Sequence, residues 1–187
     1  AYILGLFIAI LKMSKSKILR YTIYWISEFI RRTPLLIQLY FLFYILPDYG
    51  IFLSPFLAGV IGLGVHFSTY TSEVFRAGIE NVPKGQWEAA KSLNYNSFQS
   101  WKEVILPQAI PPMIPPLANY LITMFKETPL LMAITVVELF GAANQYSNSH
   151  YKYLEPMTLV GMFFLIVSIP SAIAAMKLEK KFKLRKV

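Results

Sequence analysis

The stretch EAAKSLNYNSFQSWKEVILP, residues 88–107, is polar and balanced in charge, although charge-free runs lie on both sides of it. The run SPFLAGVIGLGVHFSTYTS precedes it at residues 54–72, and residues 104–125 contain no charged side chain. Apolar runs of about 20 residues are long enough to span a bilayer as helices. The pattern therefore predicts a polar connection between two transmembrane helices.

Turn and capping signals predict that this connection is a helical hairpin. Pro83 suits the first turn of a helix, where its missing N–H costs nothing. Asn94 stands where a helix ends in the left-handed conformation. Asn96, with Gln99 three residues later, is typical of a capping box. We expect a short helix, a tight turn and a second helix that runs into the membrane at Pro107.

The composition of the whole chain indicates an all-α polytopic membrane protein with a single transmembrane domain over residues 1–187. The chain is 56% hydrophobic and only 15% charged, whereas a soluble domain carries about 25% charged residues. We expect five transmembrane helices. The first is the second half of a span whose start precedes Ala1, and the others cover residues 33–46, 54–72, 104–125 and 156–176.

The second span is expected to continue an oblique helix that begins near residue 21. Glu28 and residues 31–34 would brace its start at the water interface. The fourth span contains five prolines, and such a helix is tolerated where neighbouring helices or a cavity satisfy the freed backbone groups. The chain has no cysteine, so disulfides and thiolate metal sites are excluded.

The positive charges are concentrated on one side of the predicted topology. Residues 12–32, 73–103 and 177–187 hold six, four and six of the eighteen Lys and Arg residues. The positive-inside rule places these segments in the cytoplasm, with the N-terminus outside and the C-terminus inside. The net charge of +8 therefore serves topology, and no nucleic-acid partner is expected.

Residues 88–107 resemble the EAA signature of bacterial ABC importer permeases with the MetI-like fold. That signature reads E-A-A, three residues, Gly, nine residues, Ile, one residue and Leu-Pro. The matching positions, with Asn in place of Gly and Val in place of Ile, are Glu88, Ala89, Ala90, Asn94, Val104, Leu106 and Pro107.

Other stretches resemble the polar amino-acid uptake branch of these permeases. EFIRRTPLLIQL, residues 28–39, is similar to its E-x-x-R-G-T-P-L-L-V-Q motif, with Arg32 in place of Gly. SEVFRAGIENVPKGQWEAAKSL, residues 72–93, is similar almost letter for letter. FKETPLLMAITVVELF, residues 125–140, together with the prolines at 111 and 112, looks most like permeases for ectoine and hydroxyectoine.

The resemblance implies a permease subunit in the bacterial inner membrane whose loop at about residues 73–107 docks on a cytoplasmic ATPase. The partners implied are two ABC ATPase subunits that bind ATP and Mg²⁺, a second permease, identical or homologous, an extracytoplasmic substrate-binding protein and membrane lipid. The residues expected to couple to the ATPase are Gly85, Gln86, Glu88, Ala89, Ala90, Ser92, Leu93, Asn94 and Pro107.

Polar residues inside or at the ends of the spans are candidates for the substrate pathway. Lys126 and Glu127 could serve the two charges of an amino-acid zwitterion, or form a local ion pair. His66, Gln38 and Asn119 could contact substrate or make interhelical hydrogen bonds. The residues predicted to line the pathway are Lys126, Glu127, Thr128, Asn119, Gln38 and His66.

The sequence contains no P-loop, HExxH or G-x-S-x-G motif, so we expect a transporter subunit and not an enzyme, with neither a cofactor nor a metal of its own. The alternative from another class is a self-contained secondary transporter or channel for small polar solutes, driven by an ion gradient. An intramembrane enzyme is a third option that the missing motifs disfavour.

Overall fold

The computed structural model describes residues 1–183, with side chains as far as Lys181. These residues form helices and turns without a β-strand, which confirms the predicted all-α fold. Residues 184–187, the end of the predicted basic tail, lie outside the described residues. The α-helices within residues 1–183 are α1 Tyr2–Lys12, α2 Lys17–Arg32, α3 Leu35–Tyr40, α4 Pro55–Glu80, α5 Lys84–Ser92, α6 Ser97–Gln99, α7 Leu106–Lys126, α8 Leu139–His150 and α9 Leu154–Lys183.

Four irregular helical turns complete these elements. A π-helical turn at Phe41–Ile45 and a 3₁₀ turn at Leu46–Tyr49 extend α3. A second π-helical turn, Ser100–Ile105, joins α6 to α7 without a break. A 3₁₀ helix at Thr128–Ile134 follows α7. The apolar segments predicted as five spans thus correspond to α1, α3 with its extension, α4, α7 and α9.

Length and mean hydropathy single out fewer spans than the sequence pattern predicts. Within the described residues, one helix, Leu154–Lys181, is long and apolar enough to cross a bilayer by itself. Two bent helix pairs, Lys17–Arg32 with Leu35–Tyr49 and Ser97–Ile134 with Leu139–His150, raise the number to at most three, if each pair is counted as one span. The hydropathy of α4 falls in its second half because that half contains Glu73, Arg76 and Glu80 as well as several Ser and Thr residues. Five crossings therefore stay a prediction.

The expectation that one oblique helix leads into the second span is wrong. The chain bends by 102° between α2 and the segment that α3 begins. Pro34 causes the break, because the residue before a proline avoids the helical conformation, and Thr33 is extended at ψ 139°. The predicted brace is present at this corner: Glu28 is buried and forms ion pairs with Arg31 and with Arg32 Nε, the latter at 2.9 Å.

Small residues allow α1 to pack closely on α4. Gly5 and Ala9 lie one helical turn apart on the buried face of α1. They face the second half of α4, where buried Ser and Thr hydroxyls donate to the backbone carbonyl three residues earlier. For example, Ser72 Oγ donates to Thr69 O at 2.7 Å. Because these hydroxyls are satisfied within their own helix, they present a small surface. This is the small-residue packing that brings helices together in lipid.

Replacing Gly5 tests this contact. A Cβ at Gly5 would lie 2.1 Å from Thr71 Oγ1 and 3.0 Å from the backbone oxygen of Ser68, so α1 would have to move away from α4. We expect Gly5→Ala to cost about 1–3 kcal/mol, the usual range for overpacking, measured by thermal unfolding in detergent. Gly161→Ala is the matched control, since nothing lies within 4 Å of its added Cβ. Equal stabilities of the two variants would contradict the packing.

The buried apolar residues form two clusters at different levels of the helix assembly. One joins α3, α4 and the 3₁₀ helix and contains Leu35, Leu39, Ala58, Phe67 and Ile134. The other lies where α4 ends and the polar hairpin begins, and contains Ile79, Val82, Ile105, Ala109 and Met113. The second cluster connects the hairpin firmly to the two long helices on either side of it.

Candidate functional site: a polar hairpin and an intramembrane cavity

The polar hairpin, residues 83–107, has the local structure that its sequence predicts. Helix α5 begins directly after Pro83, and Asn94 is left-handed at φ 57°. Asn96 Oδ1 accepts from Gln99 N at 2.9 Å, while Asn96 N donates to Gln99 Oε1 at 3.0 Å. These two bonds are the predicted capping box. The turn is therefore fixed by Asn94 and Asn96.

Two side-chain contacts hold the helices of the hairpin in a defined position. The rings of Trp87 and Trp101 meet edge to face, with centroids 5.2 Å apart. Gln108 Nε2 donates to Gln86 Oε1 at 3.0 Å, which connects the start of α5 to the start of α7. These contacts connect α5 to α7 and to the π-helical turn before it through side chains as well as through the backbone.

Most of the predicted coupling residues lie on the free surface of the hairpin, and one does not. Gly85, Gln86, Glu88, Ala89, Ser92, Leu93, Asn94 and Pro107 are exposed. Ala90 is only 1% exposed and packs inward, so it is not part of the surface that the other predicted coupling residues form. Leu93 and Phe98 are 65% and 73% exposed, and they give the tip of the hairpin an apolar surface that the chain itself does not cover.

A cluster of charged side chains lies where α1 ends beside α4. Lys12 Nζ contacts Glu73 Oε1 at 2.7 Å and Ser72 Oγ at 3.2 Å. Arg76 bridges Glu73 and Glu80 at 2.7 and 2.6 Å. Burial lowers the pKa of Lys12, and Glu73 offsets only part of that shift. Burial alone would raise the pKa of Glu73, but hydrogen bonds and charges from Lys12 and Arg76 hold this pKa below its usual range.

The two partners of this ion pair should respond unequally to neutralisation. The side chain of Lys12 is 2% exposed, whereas that of Glu73 is 23% exposed and keeps Arg76 as a second partner. We therefore expect Glu73→Gln to cost about 3 kcal/mol, because it leaves a buried cation without its counterion. Lys12→Met should cost about 1 kcal/mol or less. Unfolding in detergent measures both, and equal costs would contradict the assignment.

A polar cavity of about 550 Å³ lies between the α2–α3 corner, α4 and α7. Charged, hydroxyl, imidazole and phenol groups share its lining with apolar side chains. The polar lining residues that matter here are Arg31, His66, Tyr70, Tyr120, Thr123 and Glu127. The cavity thus contains two arginines, since Arg32 also lines it, and one acidic side chain, Glu127, from a distant part of the sequence.

Several contacts fix the cationic side of this cavity. The Arg31 guanidinium pairs with Glu28 and lies 6.0 Å from the ring centroid of Tyr70. The Tyr70 hydroxyl donates to the Arg31 carbonyl at 3.1 Å. The rings of Tyr70 and Tyr120 are 5.6 Å apart. The cavity therefore combines a fixed cation with aromatic faces.

His66 lines the cavity and is oriented by Gln38. Gln38 Nε2 donates to Ile30 O and to Thr33 Oγ1, each at 2.7 Å, which assigns the amide orientation. Gln38 Oε1 then accepts from His66 Nδ1 at 3.2 Å, so the proton of the neutral ring is on Nδ1. The structure gives Gln38 the predicted interhelical hydrogen bond, and it leaves His66 Nε2 as a potential acceptor.

The other predicted pathway residues lie outside the polar cavity. Lys126 and Asn119 are exposed on α7. Thr128 lines a separate, mainly apolar groove of about 600 Å³ between α7 and α9. Adjacent positions on a helix point about 100° apart, so Lys126 and Glu127 face different surroundings. The sequence analysis did not include Tyr70 and Tyr120 among the pathway residues. Their only sequence signal was the presence of a tyrosine inside an apolar span.

Two further local features bear on the site. The Glu138 carboxylate accepts from Gly141 N at 2.6 Å and Phe140 N at 2.9 Å, so it caps α8, as its position at the start of a helix suggests. Within the described residues, no group of three His, Asp or Glu side chains could hold a metal ion. The polar hairpin and the polar cavity are therefore the two candidate functional regions.

A bundle of apolar helices with a rigid polar hairpin at one end and a polar cavity between the helices defines a membrane transport component. Residues 1–184 match the family described as the binding-protein-dependent transport system inner membrane component. The chain belongs to this family.

Similar proteins agree with this assignment. A probable amino-acid ABC transporter permease of Sinorhizobium fredii is 44% identical over 90% of this chain and 73% of its own length. A probable glutamine ABC transporter permease of Bacillus subtilis is 33% identical over 98% of this chain and 85% of its own length. An L-cystine transport system permease of the same organism is 35% identical over 95% of this chain and 78% of its own length.

Solved structures show the same fold. The crystal structure of an amino acid ABC transporter with histidines superposes with a TM-score of 0.88 at 34% identity, covering 96% of this chain and 84% of that chain. An inward-facing MetNI methionine ABC transporter superposes with a TM-score of 0.76 at 19% identity, covering 97% of this chain and 87% of that chain. The second likeness supports the MetI-like fold alone.

Proposed function

We propose that this chain is the permease subunit of a binding-protein-dependent ABC importer for amino acids or amino-acid-like solutes. The observation that carries the proposal is the exposed, capped hairpin with its E-A-A residues, which is fixed to α4 and α7. The relatives, which include amino-acid, glutamine and cystine permeases, support the substrate class. The ATPase, a second permease and a binding protein would be separate chains.

The hairpin is the proposed site of coupling to the ATPase. Glu88, Ala89, Ser92 and Leu93 are exposed on α5, and the Trp87–Trp101 contact makes α5 stiff relative to its neighbour. A stiff exposed helix transmits force better than a mobile loop. ATP-driven closure of two ATPase subunits would move α5, and α4 and α7 would move with it.

The polar cavity is the proposed substrate pathway. Arg31 could bind the carboxylate of a zwitterionic solute, and Glu127 could bind its cationic group. Arg is suited to carboxylates because its planar fork matches their two oxygens. Intramembrane charges that line a cavity are candidates for substrate sites. Lys126, which the sequence suggested as the cation, is exposed outside this cavity and has no part in the proposed site.

The paired rings of Tyr70 and Tyr120 refine the substrate proposal. Aromatic faces attract delocalised cations, and ectoine-type solutes combine such a cation with a carboxylate in one small ring. This supports the finer proposal of an ectoine-like compatible solute, with ordinary polar amino acids as the alternative. Competition for uptake by ectoine, hydroxyectoine, glutamine and histidine would distinguish the two.

Reconstitution tests the proposed function. The chain, incorporated in vesicles with its ATPase and binding protein, should show ATP turnover that rises when substrate is added, without any ion gradient. The control omits the ATPase. Uptake that persists without the ATPase and follows an ion gradient would overturn the proposal in favour of a secondary transporter.

A further inference from the structure

Helix α2 lies across the membrane-spanning direction. It meets the segment Leu35–Tyr49 at 102°. If α3 and its extension cross the bilayer, α2 runs close to the plane of the membrane. Its sixteen residues include five charged side chains, which suits a helix that lies on a bilayer better than one that spans it.

The apolar face of α2 is turned away from the protein. Ile18, Trp25 and Phe29 project from one side of the helix and are 82%, 65% and 71% exposed. The residues that α2 buries are polar, Ser27 and Glu28. In a soluble protein, such a helix would bury its apolar face and expose its polar face. This apolar face is therefore open to an apolar partner.

Exposed basic and aromatic side chains border this face. Lys15, in the loop just before α2, and Lys17 and Arg20, at the start of α2, are all exposed. Tyr24 and Trp25 make an edge contact, with ring centroids 5.7 Å apart. Tyr and Trp are enriched where hydrocarbon meets headgroups, and basic residues on such a helix attract anionic lipid.

We propose that α2 is an interfacial helix that binds the anionic leaflet of the membrane, with its apolar face among the acyl chains and its basic end at the headgroups. Charge complementarity favours this partner over a second copy of the chain, which would bring the same cations to the same surface. The proposal goes beyond solute transport and depends on neither the solute nor the ATPase.

Trp25 provides the measurement. The full chain is placed in phosphatidylcholine vesicles that contain lipids brominated at shallow or deep acyl positions, and its tryptophan fluorescence is recorded. The contribution of Trp25 is the fluorescence of the wild type minus that of Trp25→Phe. We expect the strongest quenching from the shallow bromines. At equal concentration, brominated phosphatidylglycerol should quench Trp25 at least about fivefold more efficiently than brominated phosphatidylcholine, since each basic residue near the surface favours anionic lipid on that scale.

Charge variants test the headgroup part. The variant Lys15→Gln/Lys17→Gln/Arg20→Gln should reduce the preference for phosphatidylglycerol to about one. The matched control removes three exposed charges from the hairpin, Lys84→Gln/Lys91→Gln/Lys102→Gln, and should leave the preference unchanged. Three outcomes overturn the proposal. Trp25 could escape quenching and emit as it does in water, or it could escape quenching with blue-shifted emission because a second chain covers it. Bromine could also quench Trp25 equally well from both headgroup types.

Discussion

Glu88→Lys is expected to abolish substrate-stimulated ATP turnover of the assembled transporter, while insertion and folding of the chain stay intact. Glu88 is exposed in the middle of α5, and within residues 1–183 its carboxylate takes part in no ion pair or hydrogen bond. Its reversal therefore breaks no contact inside the chain. A lysine on the docking face would bring the wrong charge, and a longer side chain, into the ATPase cleft.

The measurement is ATP turnover with and without substrate in vesicles, together with co-purification of the ATPase. We expect stimulation to fall to the basal level and the ATPase to be lost on washing. Glu103→Lys is the matched control, because Glu103 is exposed on the same hairpin and has only a 3.8 Å contact with Lys102. Equal loss in the control would point to the overall charge of the hairpin, and wild-type coupling in Glu88→Lys would remove the docking proposal.

Glu127→Gln is expected to lower substrate uptake by about tenfold or more. Glu127 is the acidic residue among the cavity-lining side chains, and a hydrogen bond to a charged partner contributes about 1.5–3 kcal/mol. Glutamine keeps the size of the side chain and removes the charge. The loss should therefore appear as a higher substrate concentration for half-maximal stimulation of the ATPase, with basal turnover retained.

Lys126→Gln is the control for Glu127→Gln, since it neutralises the neighbouring residue, which is exposed and does not line the cavity. We expect nearly wild-type uptake from Lys126→Gln. The reverse result, with Lys126→Gln inactive and Glu127→Gln active, would show that the substrate passes along the outer side of α7 and would remove the cavity from the mechanism.

The hairpin shows how far local sequence reasoning reaches in this protein. The start of α5, the left-handed Asn94 and the Asn96–Gln99 capping box were all predictable, because each depends on residues within a few positions of one another. The inward packing of Ala90 was not predictable. It depends on how the π-helical turn Ser100–Ile105 packs against α5, and no local pattern specifies this relation.

The α2–α3 corner shows the opposite case. The charges and Pro34 were visible in the sequence, but a helix that passes obliquely into the membrane and a helix that stops and turns by 102° share the same apolar pattern. Pro34 decides the outcome, because it holds Thr33 extended and so makes the chain turn, whereas the ion pairs of Glu28 with Arg31 and Arg32 form within α2 itself. The same turn places Arg31 in the polar cavity.

The sequence alone determined the all-α membrane class, the concentration of basic residues in three segments and the hairpin, because apolar run length, charge distribution and capping can be read along the chain. Only the tertiary structure decided which polar side chains share a cavity. It brought together Arg31, Tyr70, Tyr120 and Glu127 and separated Glu127 from Lys126. The physical reason is that a helix turns its side chains by about 100° per residue, so neighbours in sequence diverge while residues from distant helices meet.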